Sequence, residues 1–259
     1  MNTFERRNKI VEMVNTKGSV TSNDLASEFA VSGVTIRADL HYLEKKGLLI
    51  RFHGGAAQNL TTVQALLTEG KELSLTDRYE LASDPKERIA IQAASLVQEG
   101  DTIILDSGST TKLVAEKLMV LNNITVITNS LAAASVLAEN RNITLVVCGG
   151  TLRHKTLSLH GRITELSLQG VSAKLMFVGA DGLDSQNGIT TFNEGYAVSS
   201  LMAAAAQQVI VVTDSTKFGR KGLSTVLPIE KIDVIITDKE APKQEIGLLI
   251  KMGKKVLLA

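Results

Sequence analysis

Residues 102–111, with the sequence TIILDSGSTT, join an apolar run to a turn that is rich in serine, threonine and glycine. Residues 112–118 return to helical spacing, so the whole segment predicts a strand, a turn and a helix. A turn of this composition presents backbone N–H groups and hydroxyls, and the helix adds the positive end of its dipole. The stretch is therefore a candidate anion site, although small residues are also common at ordinary strand–helix junctions.

Four further segments repeat this order of apolar run and polar turn. The runs end before the turns Thr128-Asn129, Cys148-Gly149-Gly150, Gly179-Ala180-Asp181 and Thr213-Asp214. Short strands followed by helical spans predict an α/β domain with an open, mostly parallel sheet covered by helices on both faces. The carboxyl ends of parallel strands meet at one edge of such a sheet, and ligands bind there. The five turns together therefore predict one binding site.

Side chains in and beside these turns suit a small polyhydroxylated, phosphorylated ligand. Carboxylates accept hydrogen bonds from hydroxyl groups, hydroxyl and amide side chains donate to oxygen, and Arg153 and Lys217 supply positive charge. A solvated surface pair is the alternative for Arg153 and Lys217, and a simple turn former is the alternative for Asp181. The candidate binding residues are Asp106, Ser107, Gly108, Ser109, Thr110, Thr111, Thr128, Asn129, Gly149, Gly150, Arg153, Gly179, Asp181, Asp214 and Lys217.

The N-terminal part of the chain predicts a winged helix-turn-helix. Helical spacing covers residues 4–15, 22–29 and 33–46, with small polar caps before the second and third segments and a glycine after the third. Residues 48–52 then predict a strand, and a Gly-Gly turn follows it. Three helices followed by a β-hairpin are the elements of a winged helix-turn-helix.

The third helix carries the residues that face outward once its apolar stripe, Ile36, Leu40 and Leu43, packs inward. Val34 is expected to pack against the preceding turn. Hydroxyl, guanidinium and small side chains near a helix N-terminus suit base edges and phosphates in a major groove, and a wing reaches the adjacent backbone. A small helical protein-interaction module is the alternative. The candidate DNA-binding residues are Ser32, Val34, Thr35, Arg37, Ala38, His41, Arg51 and His53.

The composition limits the remaining possibilities. The chain of 259 residues is 44% hydrophobic, has a net charge of +1 and contains a single cysteine, Cys148, which excludes a disulfide framework and a Cys-rich metal site. It has no long apolar run and no apolar leader, which predicts a cytoplasmic protein without membrane segments. Changes of composition along the chain predict a DNA-binding domain at residues 1–58, a linker at 59–84 and a second domain at 85–259.

Two motifs in the first domain, VTIRADL at residues 34–40 and RFHGGA at residues 51–56, resemble the DNA-binding signature of the DeoR family of bacterial sugar-operon repressors. The second domain resembles the effector-binding half of that family, whose fold is shared with ribose-5-phosphate isomerases. The matching segments are residues 106–111, 128–130, 149–153, 179–182, 190–194 and 214–218.

This resemblance implies a homo-oligomer, a dimer or a tetramer, that binds double-stranded operator DNA. It also implies that operator affinity responds to a phosphorylated sugar or sugar alcohol, with galactitol as the sugar alcohol. Asn193 and Glu194 join the candidate effector-binding residues through the resemblance.

An isomerase of this fold needs a lysine and a carboxylate base beyond an Asp-Gly-x-Asp turn, in order to polarise a carbonyl group and move a proton. Residues 181–184, DGLD, resemble that turn, but residues 189–213 contain no Lys or Arg, and Glu194 is their only carboxylate. We therefore expect a sensor without catalytic residues; an isomerase-like enzyme with an accessory DNA-binding domain is the alternative. A dinucleotide site would need a G-x-G-x-x-G turn, whereas residues 106–111 contain one glycine, so no cofactor is expected.

Overall fold

The computed structural model describes residues 3–17, 19–45, 48–52, 54–57, 75, 78, 83–191 and 197–259. The chain divides into two compact units, residues 1–71 and residues 72–259. Three predicted site residues, His53, Asn193 and Glu194, lie outside the described residues, as does most of the predicted linker.

The first unit contains three helices and a three-stranded antiparallel sheet of order β1-β3-β2. Its elements are α1 (Thr3–Lys17), β1 (Ser19–Thr21), α2 (Ser22–Glu28), α3 (Gly33–Lys45), β2 (Ile50–Phe52) and β3 (Gly55–Ala57). The predicted winged helix-turn-helix is therefore confirmed. The sequence did not predict β1, a strand of three residues that pairs with the wing and completes its sheet.

The core of the first unit forms where the three helices meet. Ile36, Leu40 and Leu43 of α3 are buried as predicted, and each fully buried aliphatic side chain of this size contributes roughly 1.5–3 kcal/mol to stability. Ser32 caps α3, because its Oγ accepts a hydrogen bond from the backbone N–H of Thr35 at 3.2 Å. The prediction that Val34 packs against the preceding turn is wrong, since Val34 is 67% exposed at the first turn of α3.

The second unit alternates strands and helices along most of its length. Its elements are α4 (Ser83–Ala94), β4 (Thr102–Leu105), α5 (Ser109–Leu118), β5 (Ile124–Thr128), α6 (Leu131–Leu137), β6 (Ile143–Val147), β7 (Thr151–Arg153), β8 (Ser158–His160), α7 (Arg162–Ser167), β9 (Ala173–Val178), β10 (Gly182–Asp184), β11 (Gly188–Thr191), α8 (Ala197–Ala204), β12 (Ala206–Val212), β13 (Ser224–Leu227), β14 (Val234–Thr237), α9 (Lys243–Lys251) and β15 (Lys255–Leu258). Short 3-10 turns cover Ser215–Lys217 and Ile229–Lys231.

Seven of these strands form one sheet of order β15-β14-β12-β9-β4-β5-β6, in which every neighbouring pair is parallel. Successive residues of a strand point to opposite faces, so Ile103 and Leu105 of β4 enter one hydrophobic cluster and Ile104 enters the other. Both faces are thus buried, as expected for a parallel sheet covered by helices. The predicted open, mostly parallel α/β domain is confirmed.

Two small antiparallel sheets complete the second unit. One has the order β10-β11-β13, and the other pairs β7 with β8. Residues 181–184 were interpreted as a turn, but Gly182–Asp184 form strand β10, which pairs with β11. The helix before β4 begins at Ser83, within the predicted linker, and ends at Ala94. Within the described part of the chain, no helix is both long and apolar enough to span a membrane.

Candidate effector pocket and DNA-binding surface

A pocket lies at the carboxyl ends of the central strands β4, β9 and β12. These strands are in register, because Leu105 pairs with Phe177 and Phe177 pairs with Ile210, so the segments that follow them reach the same edge. The lining residues are Leu75, Arg78, Lys86, Asp106, Ser107, Gly108, Ser109, Thr110, Thr156, Val178, Gly179, Ala180, Asp181, Ile189, Thr190, Thr191, Ser199, Thr213, Asp214, Lys217 and Val226. Nine of the predicted binding residues are in this set: Asp106, Ser107, Gly108, Ser109, Thr110, Gly179, Asp181, Asp214 and Lys217.

Asp106 follows β4 directly and is almost fully buried. Its Oδ2 accepts a hydrogen bond from Ser199 Oγ at 2.6 Å, and its Oδ1 accepts one from the backbone N–H of Ser107 at 2.7 Å. Burial raises the pKa of Asp106, while the hydrogen bonds from Ser199 and Ser107 oppose this shift, and Asn129 opposes it more weakly. The carboxyl group is therefore fixed in position in the pocket by the hydrogen bond from Ser199 of α8 and by the backbone of Ser107.

The first turn of α5 supplies hydroxyl and backbone donors to the pocket. Ser109 and Thr110 are buried lining residues at the N-terminus of this ten-residue helix. The N-cap residue is Gly108, which makes no side-chain hydrogen bond to the helix, so the N–H groups of the first turn are not capped in that way. The positive end of the helix dipole and these donors favour an anion at this place.

Asp181 follows β9 and binds two other lining residues. Its Oδ2 accepts a hydrogen bond from Thr191 Oγ1 at 2.8 Å, and its Oδ1 lies 2.8 Å from Nη1 of Arg78 in an ion pair. Both side chains of this ion pair are mostly buried. Asp181 thus connects β9, β11 and the segment before α4 at the rim of the pocket.

Two buried lysines give the pocket positive charge. Lys86 on α4 is 1% exposed; its Nζ donates to the carbonyl oxygen of Arg78 at 2.5 Å and lies 3.8 Å from Asp214 Oδ2. Burial lowers the pKa of Lys86 to about 8; Asp214 opposes the shift, whereas Lys217 and Arg78 add to it. Burial also lowers the pKa of Lys217, again against Asp214. The cations are close enough to repel one another, and an anion in the pocket would relieve that repulsion.

Six predicted binding residues are not among the lining residues, although Asn129 is close enough to Asp106 to hydrogen-bond with it: Thr111, Thr128, Asn129, Gly149, Gly150 and Arg153. Thr128 Oγ1 donates to the carbonyl oxygen of Leu105 at 2.6 Å, so it joins β5 to β4. A Cβ atom at Gly150 would lie 2.1 Å from Thr164 Oγ1, so close packing of α7 explains this glycine. Arg153 ends β7, in the two-stranded ribbon.

The predicted binding residues did not include seven polar lining residues: Arg78, Lys86, Thr156, Thr190, Thr191, Ser199 and Thr213. Arg78 falls inside the predicted linker, and Lys86 lies at the start of the predicted second domain. The one sequence signal for Lys86 was its place in the first turn of a helix that precedes the first strand of the sheet. The described residues contain no group of three or more His, Cys, Asp and Glu side chains that is placed to hold a metal ion.

The candidate DNA-binding surface is the outer face of α3 and the adjacent strand β2. Arg37, Ala38 and His41 are exposed, and Thr35 and Arg51 are partly exposed. Arg51 Nη1 lies 3.3 Å from His41 Nδ1 and 3.5 Å from Glu44 Oε2, so the wing is joined to the end of α3. Arg37 is therefore an exposed and permanently charged donor within the predicted set on α3.

A buried carboxylate on the inner face of α3 positions this surface. Asp39 accepts hydrogen bonds from Nε of Arg6 and Nε of Arg7, both at 2.7 Å. The guanidinium of Arg7 also lies 3.9 Å from the centre of the Tyr42 ring. Two arginines of α1 thus fix the rotation of α3 about its axis.

A winged helix-turn-helix joined to an α/β unit with a charged pocket at its strand ends defines a DNA-binding transcriptional regulator with a ligand-sensing domain. Residues 6–62 match the DeoR-like helix-turn-helix domain, and residues 82–239 match the DeoR C terminal sensor domain. The chain belongs to the DeoR family of transcriptional regulators.

Relatives match over nearly the whole chain. A putative aga operon transcriptional repressor of Escherichia coli O157:H7 is 37% identical, over 99% of this chain and 94% of its own length. The regulator GolR of Listeria innocua is 33% identical, over 97% and 99%. The glycerol-3-phosphate regulon repressor of Escherichia coli K12 is 29% identical, over 93% of each chain. These relatives are named as regulators and repressors rather than as enzymes, in agreement with the expected sensor.

Among solved structures, ribose 5 phosphate isomerase A from Neisseria gonorrhoeae shows a partial likeness. The TM-score is 0.38 and the sequence identity 17%, over 51% of this chain and 52% of the isomerase. The matched region thus spans about half the length of that structure.

Proposed function

We propose that this chain represses a sugar or sugar-alcohol operon from the cytoplasm, binding double-stranded operator DNA as a homo-oligomer, a dimer or a tetramer. A phosphorylated sugar or sugar alcohol occupies the pocket and lowers operator affinity. The candidate contacts to DNA are those on α3 and β2, with Arg37 foremost. Asp106, Asp181, Asp214 and the first turn of α5 contact the effector.

The observation that carries this proposal is the environment of Lys217. Its side chain is 9% exposed and lines the pocket, and burial lowers its pKa although the carboxylate of Asp214 favours the charged form. Burying a charge is costly, and an anionic ligand in the pocket would stabilise the charged form of this lysine. Lys86 and Arg78 raise the positive charge around the same space. A phosphate group meets these requirements.

The carboxylates on the other walls support a polyhydroxylated remainder of the ligand. Asp181 and Asp106 are lining residues whose oxygens accept hydrogen bonds, and hydroxyl groups of a sugar are suitable donors. The sequence resemblance favours galactitol as the parent sugar alcohol. Relatives are named for other operons and regulons, so the exact effector is best identified by direct comparison of compounds.

A thermal-shift screen tests this proposal. Galactitol 1-phosphate, tagatose 6-phosphate, tagatose 1,6-bisphosphate and glycerol 3-phosphate are compared with unphosphorylated galactitol and tagatose. A compound at 100 times its Kd stabilises the folded state by about 2.7 kcal/mol, so a specific effector raises Tm clearly.

The matched variants are Lys217→Met, in the pocket, and Lys174→Met, at the amino end of β9. We expect a phosphorylated compound to raise Tm of the wild type and of Lys174→Met, with about tenfold to hundredfold weaker binding in Lys217→Met, because a charge-assisted hydrogen bond contributes about 1.5–3 kcal/mol. Equal binding by both variants contradicts the assignment of Lys217. Stabilisation by the unphosphorylated compounds contradicts the requirement for phosphate.

A further inference from the structure

Two residues that precede α4 in the chain form part of the pocket wall. Leu75 is buried, and its backbone N–H donates to the carbonyl oxygen of Lys155 at 2.9 Å. Arg78 pairs with Asp181 at 2.8 Å, and its carbonyl oxygen accepts a hydrogen bond from Lys86 Nζ at 2.5 Å. We call the ion pair with Asp181 and the hydrogen bond from Lys86, taken together, the Arg78 anchor.

The Arg78 anchor uses the same groups that a sugar phosphate needs. Both oxygens of Asp181 are engaged, one by Arg78 and the other by Thr191, so a ligand hydroxyl that donates to Asp181 competes with them. A phosphate group attracts the guanidinium of Arg78 and the ammonium of Lys86 at the same time. The hydroxyl groups of the ligand compete for Asp181 and its phosphate group attracts Arg78, so both parts of the ligand weaken the ion pair between Arg78 and Asp181.

Arg78 differs from the other pocket cations in its place along the chain. Lys86 lies within α4 and Lys217 within a 3-10 turn after β12, both inside the regular structure of the second unit. Arg78 comes before α4, in the part of the chain that leads from the DNA-binding unit to the sensor. When the contacts of Arg78 change, the change therefore occurs in the segment that precedes the regular structure of the second unit.

We propose that the effector releases Arg78 from Asp181, and that this release is the step that reports pocket occupancy to the DNA-binding unit. The inference rests on the proposed function, because it requires a phosphorylated polyol in the pocket. It assigns to Arg78 a positioning role in addition to its attraction for the phosphate: in the empty pocket the Arg78 anchor maintains the state that binds operator DNA, and the ligand ends that state by competition.

The first experiment needs no ligand. Hydrogen exchange is measured for the peptide that contains Leu75 in the full-length wild type, in Arg78→Gln and in Arg88→Gln, a control on the exposed face of α4. We expect exchange of the Leu75 amide to be at least about tenfold faster in Arg78→Gln and unchanged in Arg88→Gln. Unchanged exchange in Arg78→Gln overturns the anchoring role of the ion pair.

The second experiment adds galactitol 1-phosphate or tagatose 6-phosphate. In the wild type we expect faster exchange at Leu75 and an operator affinity at least about fivefold lower. Without compound, Arg78→Gln is expected to match the occupied wild type both in exchange at Leu75 and in operator affinity. Addition of the compound is expected to leave both values of this variant unchanged. Arg78→Lys, which keeps the charge, is expected to restore the response.

The outcomes separate the two proposals. If a compound binds the wild type and lowers operator affinity while exchange at Leu75 stays the same, the release of Arg78 is wrong and the proposed function stands. If Arg78→Gln still responds to the bound compound as the wild type does, the reporting role is wrong. If neither compound binds the wild type, the proposed function fails for these effectors, and the release proposal fails with it.

Discussion

Raising the pH from 7 to 9 is expected to weaken the binding of a phosphorylated sugar by about tenfold. The cause is Lys86, whose pKa is lowered to about 8 by burial in the empty pocket. A bound phosphate favours the charged form of this lysine, so binding raises its pKa and takes up a proton. The affinity for the phosphorylated sugar is therefore highest at pH values well below 8, and it declines as the pH rises through 8.

The magnitude follows from the fraction of Lys86 that is charged before binding. With a pKa of about 8, this fraction is about nine-tenths at pH 7 and about one-tenth at pH 9. Their ratio corresponds to about 1.4 kcal/mol, or about tenfold in Kd. The second pKa of a phosphate monoester is about 6, so the ligand remains a dianion across this range.

Isothermal titration calorimetry at pH 7, 8 and 9 measures this dependence. Lys86→Arg keeps a positive charge across the range, so its Kd is expected to change much less between pH 7 and pH 9 than that of the wild type. Lys86→Met is expected to bind more weakly at pH 7 and to show a similarly small change with pH. Circular dichroism at each pH confirms that the protein remains folded. A wild-type Kd that is equal at pH 7 and pH 9 would refute the role of Lys86 in anion binding.

Three further variants test other parts of the structure. Arg37→Ala is expected to weaken operator binding by about tenfold to hundredfold in fluorescence anisotropy and to leave effector binding intact; equal operator affinity removes the residue from the interface. Asp39→Asn leaves Arg6 without its buried carboxylate, so the first unit loses about 3 kcal/mol in urea unfolding, and an unchanged midpoint contradicts that estimate. Gly150→Ala places a Cβ atom 2.1 Å from Thr164 Oγ1, so we expect the sensor to lose more than about 2 kcal/mol; wild-type Tm would show that the contact relaxes.

The fold could be predicted wherever the sequence carries a local periodic signal. The apolar stripe of α3 and the run that ends at Asp106 both have such a signal, and both lie where they were predicted. Strand β1 was missed because its three residues are too few to show an alternating pattern. Residues 182–184 were missed as a strand because the pairing of β10 depends on β11 and β13, which follow later in the chain.

The candidate site was predictable where a residue directly follows a central strand. Asp106, Asp181 and Asp214 line the pocket because parallel strands in register end at one edge. Gly150 does not line it: φ is +139° there and a Cβ atom would meet Thr164, so packing accounts for the glycine. Ser199 enters the pocket from α8, 93 residues after its partner Asp106, and such a pairing leaves no trace in local sequence.

The most direct test of the account is the operator affinity of the full-length protein with the pocket empty and occupied. Fluorescence anisotropy is measured on promoter DNA of its own operon, with and without a saturating phosphorylated sugar found in the thermal-shift screen. We predict that the compound lowers operator affinity at least about fivefold in the wild type, and that Lys217→Met needs about tenfold to hundredfold more compound for the same effect. Equal operator affinity of the wild type with the pocket empty and saturated would contradict the account.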